Sequence, residues 1–164
     1  MSQRISIVEK ILSANDQIAD ENRRIFDDNR ILAINVMASP GAGKTSLILQ
    51  TISHLAAKLR LAVIEGDTAA VTIDADKVNA QNIPAVQVNT GGECHLDAVM
   101  IKAALSQFDL SAIDLMIVEN VGNLVCPASF HLGTHKNVLI ASVPEGDDKP
   151  YKYPGIYRGV DALV

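Results

Sequence analysis

Tryptophan is absent from this chain of 164 residues, and aromatic side chains make up only 4% of it. Surfaces that stack nucleobases are built from such rings, so their scarcity argues against a single-stranded nucleic-acid binder. Basic runs are missing too. The chain carries 14 Lys and Arg against 19 Asp and Glu, for a net charge of −5, a balance that favours neither a nucleic-acid backbone nor an anionic membrane as partner. No apolar run approaches the roughly 20 residues that a membrane span requires, and MSQRISIVEKILSANDQ at the start has no signal-peptide core. Cysteine occurs only twice. Without an export signal, two thiols point to a reducing cytoplasm, where cysteines are more often buried, catalytic or metal-bound than disulfide-bonded.

What is present suits a globular protein: 48% apolar and 20% charged residues, in a length that matches one domain with a real core. The expected organisation is a single nucleotide-binding domain over 1–164, with an N-terminal helix in 1–29 and an α/β core in 31–164. Ile5, Val8, Leu12, Ile18 and Ile25 recur at helical spacing, while Asp16, Asp20, Glu21, Arg23 and Arg24 spread over a polar face. The pattern then alternates. Strands are expected at 31–37, 61–65, 85–88, 113–119 and 137–143, with helices at 45–59, 74–81 and 95–108. Continuous apolar strands separated by helices imply a three-layer α/β fold with a mainly parallel sheet and right-handed crossovers. Residues 161–164 read as a sixth strand just beginning, which leads us to expect a chain whose C-terminal elements are missing.

ASPGAGKTS (38–46) falls between the first strand and the first long core helix. Gly43, Lys44 and Thr45 match the end of the P-loop pattern G-x-x-x-x-G-K-[ST], whereas Ala38 stands at its first glycine. Small residues at Gly41, Ala42, Gly43 and Ser46 let backbone N–H groups converge on phosphate, aided by the helix N-terminus. Lys44 would reach the terminal phosphates and Thr45 would take a magnesium position. Asp67 and Glu119 follow the second and fourth strands, at the sheet edge where nucleotide chemistry belongs. Both are expected to hold magnesium or position water, and the Gly122 N–H to sense a γ-phosphate, in a site that works by positioning and charge neutralisation. Asp74 is read equally as a helix cap.

Cys94 and His95 are adjacent, and Cys126 lies in ENVGNLVCPA. Thiolate and imidazole suit zinc, or nickel in a more planar geometry. The spacing matches no standard finger, and by spacing alone two buried or inert cysteines are the better reading. Lys149 and Lys152, in GDDKPYK, read as solvated surface or as groups reaching nucleotide or a partner subunit.

The segments ANDQIADENRRIF, SPGAGKTSL, EGD, NTGGECHLDA, IVENVGNLVCPA, LGTHK and PEGDDKPYKYP together resemble the HypB family, the nickel-insertion GTPases of [NiFe]-hydrogenase maturation. The resemblance runs through nearly the whole chain. It implies a P-loop domain of the signal-recognition/MinD/nitrogenase-iron-protein class that binds GTP or GDP with magnesium and dimerises when GTP is bound; slow hydrolysis is expected because no catalytic arginine or glutamine can be picked out by pattern. It implies further that Cys94, His95 and Cys126 hold zinc or nickel near the dimer interface. Lys44 would serve the phosphates, Thr45 the magnesium, and the Asp67 and Glu119 segments would be switch regions that gate metal release. The implied partners are a second copy, other hydrogenase-maturation proteins and the hydrogenase large subunit. Three departures accompany the match: Ala38; no N-terminal cysteine-rich or histidine-rich nickel stretch; and no N-K-x-D anywhere, so guanine preference rests on the resemblance. Two alternative readings are a P-loop small-molecule kinase, for which no lid is evident, and a non-catalytic metal-dependent dimerisation module.

Overall fold

A computed structural model describes residues 7–68, 78 and 82–164. The first residues of the expected N-terminal helix, with Ile5, and most of the expected 74–81 helix, with Asp74, lie outside them. The helix α1 runs Ile7–Asp28. Then follow β1 (Leu32–Ala38), α2 (Lys44–Leu55), β2 (Leu61–Asp67), β3 (Ala85–Asn89), α3 (Ala98–Leu105), β4 (Leu115–Glu119), β5 (Lys136–Ile140), α4 (Lys149–Lys152), α5 (Pro154–Arg158) and β6 (Ala162–Leu163).

The six strands form one parallel sheet in the order β3-β2-β4-β1-β5-β6. After β1 the chain travels toward β2 and β3; after β4 it travels the other way, toward β5 and β6. The neighbouring strands β1 and β4 therefore release their loops over opposite faces, which opens a crevice at their carboxyl ends. Alternate residues of each strand face opposite layers. Val36, Val63, Leu115 and Ile117 pack under Ile48 and Ile52 of α2. Ala33, Ile64, Met116 and Val118 pack against Phe26 of α1 and Ile101 and Leu105 of α3. Burial on both faces explains why the strands read as unbroken apolar runs rather than alternating ones.

Several boundaries differ from the sequence pattern. The expected 45–59 helix stops at Leu55, whose carbonyl accepts both the Lys58 and the Leu59 N–H and draws the chain into a turn. The expected 95–108 helix begins only at Ala98. Asp97 caps it by accepting the Met100 N–H at 2.8 Å, so Cys94 and His95 lie in the loop before the helix and not on it. Residues 143–158 add a 3-10 turn (Val143–Glu145), α4 and α5, none of which the periodicity marks.

The polar face of α1 is also more than solvated. Asn15 and Asn22, seven residues apart and so on one side of the helix, are buried. Asn15 accepts the Ala98 N–H and donates to the His131 carbonyl, while Asn22 donates to the carbonyls of Ala98 and Leu132. Arg23 donates to the Gly133 and Thr134 carbonyls. The His135 Nδ1 accepts the Ala33 N–H, so its Nε2 carries the proton toward Asp27 at 2.9 Å. One helix thereby holds both the start of α3 and the loop before β5. Asn22→Ala removes the shared donor to two carbonyls in the interior, at a cost of about 1–3 kcal/mol. At roughly 2–4 °C per kcal/mol for a chain of this size, thermal denaturation followed by circular dichroism should show the loss directly.

Candidate functional site

The P-loop leaves β1 at Ala38, which is fully buried and packed in the core beneath α2. It is the last residue of a strand and not part of the turn, so its φ is ordinary and glycine is not required there. The turn itself uses positive φ at Gly41 (75°) and Gly43 (99°), a conformation that a Cβ disfavours. Gly43 leads directly into α2, which starts at Lys44. This N-terminus opens on a cleft of about 380 Å³. Of the residues expected to bind nucleotide or magnesium, Gly41, Gly43, Lys44, Thr45, Ser46, Asp67, Glu119 and Gly122 all line it. Ala42 does not; it packs against the core under α2.

The carboxylates come from strand ends. Thr45 Oγ1 donates to Glu119 Oε1 at 2.9 Å, which ties the first turn of α2 to the tip of β4. Glu65, which the sequence reading passed over, is register partner to Glu119 across β2 and β4. Paired residues of neighbouring parallel strands share a face, so Glu65 joins Glu119 in the cleft, and both are buried. Its signal was present as the E of EGD, but only strand order places it beside Glu119. Asn120 and Val121 also line the cleft unforeseen. Three carboxylates and a threonine hydroxyl around one lysine form a set of hard oxygen donors that fits a magnesium ion carrying phosphate. At Gly122 a Cβ would stand 2.9 Å from Pro40 Cα, so only glycine lets this segment lie so close to the P-loop.

The second cluster lies beyond that segment. Ligand atoms of Cys94, His95 and Cys126 all fall within 4.8 Å of one another. The thiols are free and half-buried. Cys94 and His95 follow a turn built on Gly91 and Gly92, stitched by Thr90 Oγ1 to the Glu93 carbonyl at 2.7 Å and by the Thr90 N–H to the Asp67 carbonyl at 3.0 Å. Cys126 opens the 3-10 turn Cys126–Ala128. Asn123 Oδ1 holds its backbone by accepting from Val125 and Cys126 N–H groups at 2.6 and 3.2 Å. Phe130 stacks on the His95 ring with centroids 3.9 Å apart. Neither Asn123 nor Phe130 carries a motif that would have announced it. The Cys94 thiol beside it, and then burial, push the Cys126 thiol up from its ordinary value. Two soft sulfurs and an imidazole within this span fit zinc or nickel, with a further position left open.

Lys149 lies over the Tyr153 ring, 5.6 Å from its centroid, and Lys152 pairs with Asp148. Both lysines stand apart from the cleft lining.

The sequence matches the CobW/HypB/UreG nucleotide-binding domain over residues 32–143. It is similar to the hydrogenase maturation factor HypB of Azotobacter vinelandii, with 47% identity over 99% of this chain and 54% of the relative. The probable hydrogenase maturation factor HypB of Methanocaldococcus jannaschii is 43% identical over 98% of this chain and 72% of the relative. The chain thus spans about half the length of the first and nearly three quarters of the second. Among solved structures, HypB from Helicobacter pylori in complex with nickel superposes with a TM-score of 0.85 at 39% identity, over 92% of this chain and 70% of that one. The signal recognition particle receptor FtsY from Elizabethkingia anophelis, in complex with GDP, shares the fold alone, with a TM-score of 0.54 at 17% identity over 92% of this chain and 56% of that one.

A raised thiol value fixes the sign of a pH dependence. A thiol held up in this way stays protonated at neutral pH, so a metal ion taken by Cys126 would have to displace that proton and would bind more tightly as pH rises. Nickel or zinc titrations between about pH 6 and about pH 8 should show tightening with pH and proton release into a weak buffer; a flat profile would take the thiols out of the ligand set.

Proposed function

The chain belongs to the CobW/HypB/UreG family, among its HypB members, and on that basis we propose that it is a GTP-dependent nickel metallochaperone of [NiFe]-hydrogenase maturation. It acts in the cytoplasm as a nucleotide- and metal-dependent homodimer, alongside other hydrogenase-maturation proteins, with the hydrogenase large subunit as recipient. The observation that carries this reading is a single short segment. It starts at Glu119 in the nucleotide cleft, passes Gly122 against the P-loop and ends at Cys126 in the metal cluster.

The backbone N–H groups around Gly41–Gly43 and the N-terminus of α2 receive the phosphates, with Lys44 on the terminal ones. Thr45, Asp67 and Glu119, with Glu65 beside them, would hold magnesium, whose charge neutralises the phosphate oxygens during transfer to water. Glu119 also orients the attacking water. Among the described residues lining the cleft there is no arginine or glutamine to stabilise the developing charge, so hydrolysis is slow and the nucleotide works as a timer. The Gly122 N–H engages the γ-phosphate and shifts its segment; Cys126 moves with it, and the Cys94/His95/Cys126 set changes geometry. Nickel is the cargo, and zinc competes for the same donors. Guanine selection belongs to the family pattern, since the residues named here contact phosphate and magnesium.

Nickel(II) and zinc(II) titrations with GDP, a non-hydrolysable GTP analogue, ATP or no nucleotide, with dimerisation followed in parallel, test the switch. Metal affinity should differ between the GDP and GTP-analogue states, and identical affinities in all four would refute gating. Cys126→Ala should weaken metal binding at least about tenfold, the scale on which even a supporting group matters. Lys44→Ala should abolish the nucleotide effect while leaving metal binding intact in the nucleotide-free protein.

A further inference from the structure

Cys126 is joined to the nucleotide cleft by the chain itself. Cys94 and His95 are not, and they precede the segment by more than twenty positions. A side chain makes the connection. Asn120, fully buried, directly follows Glu119. Its Oδ1 accepts two backbone N–H groups: that of Val121 at 2.9 Å, in its own segment, and that of Leu96 at 3.1 Å, next to His95. Its Nδ2 donates to Asn35 Oδ1 at 3.2 Å, and Asn35 Nδ2 donates to Asn137 Oδ1 at 3.1 Å. That chain of amides fixes which way Asn120 points and braces it through β1 to β5. Leu96 is buried as completely. Its side chain sits on Gly66, where a Cβ would meet Leu96 Cγ at 2.6 Å. Leu96 is thus gripped by its backbone from the tip of β4 and by its side chain from the tip of β2, between Glu65 and Asp67.

We propose that Asn120 is the positioning residue through which nucleotide state reaches the Cys94-His95 half of the metal site; this rests on the gating reading above. When Gly122 moves to meet a γ-phosphate, Val121 is drawn with it and pulls on the Asn120 oxygen that accepts its N–H. In a dry interior that oxygen gives up neither N–H cheaply, so the Leu96 backbone follows and carries His95 and Cys94. Both halves of the donor set then respond to one event, one by the covalent chain and the other by the amide. An ordinary structural asparagine would stabilise the loop equally in both nucleotide states; this one contacts the segment that changes.

The test compares wild type, Asn120→Ala and Asn35→Ala, each at saturating GDP and at a saturating non-hydrolysable GTP analogue. Two quantities are read: the ratio of nickel(II) affinities between the two states, and, without metal, the hydrogen exchange of the Leu96 amide. Wild type should show a ratio of about tenfold or more and a nucleotide-dependent Leu96 exchange rate, while Asn120→Ala brings the ratio within about twofold of one and erases the exchange difference. Asn35→Ala, which frees the Asn120 amide to rotate, also removes the donor to Asn137 Oδ1 and lies outside the cleft, should reduce the ratio in the same direction and serves alone if Asn120→Ala does not fold. A merely structural role would lower affinity alike in both states and leave the ratio unchanged. If wild type itself shows no ratio, gating fails and this relay with it. If wild type shows the ratio and the folded variants keep it, the relay alone is overturned and Cys126 carries the signal.

Discussion

The tip of β4 is the constraint on which the functional end of this molecule depends. The strand lies between β1 and β2 with every residue buried, so its carboxyl end cannot shift without disturbing both neighbours. Glu119 sits at that tip in the nucleotide cleft, bonded to Thr45 of the P-loop helix. The next residue holds the loop of Cys94 and His95, and the segment then reaches Cys126. A rigid strand that feeds a glycine-bearing segment pressed on the P-loop has the form required of a switch: one fixed end and one end responsive to phosphate.

The cleft and the Cys94/His95/Cys126 cluster differ in donor type. The cleft presents carboxylates and a hydroxyl, hard donors of the kind that suits magnesium and not soft ions. The second cluster presents two sulfurs and an imidazole, the preference of zinc and nickel. Under the proposed function this difference would sort cargo from nucleotide metal by chemistry, and the segment from Glu119 to Cys126 would be the link between them.

The long helix α1 supplies a frame for the loops around the Cys94/His95/Cys126 cluster. Its buried asparagines and Arg23 hydrogen-bond to carbonyls in the loop before β5, and Asn15 and Asn22 also reach the start of α3. Those are the elements that flank the metal cluster, through Asp97 on one side and Phe130 on the other. Loops have few internal hydrogen bonds of their own, so an external donor array is what gives these a defined shape.

Local patterns were enough to reveal the architecture and half of the site. Apolar runs with helical spacers announced a parallel three-layer fold, because burial on both faces marks nearly every residue of the central strands β1, β2 and β4. Glycines beside Lys44 and Thr45 announced the phosphate loop, because its backbone conformation restricts which residues can occupy it. Cys94, His95 and Cys126 were visible only as a possibility; their spacing announced no site, and the fold brings their ligand atoms within 4.8 Å of one another. Tertiary packing decided what remained: that Glu65 lies beside Glu119, that the asparagines of α1 face inward, and that Asn120 spans two loops. Such facts depend on contacts between residues dozens of positions apart, and a side chain that hydrogen-bonds across that separation has no periodicity to betray it.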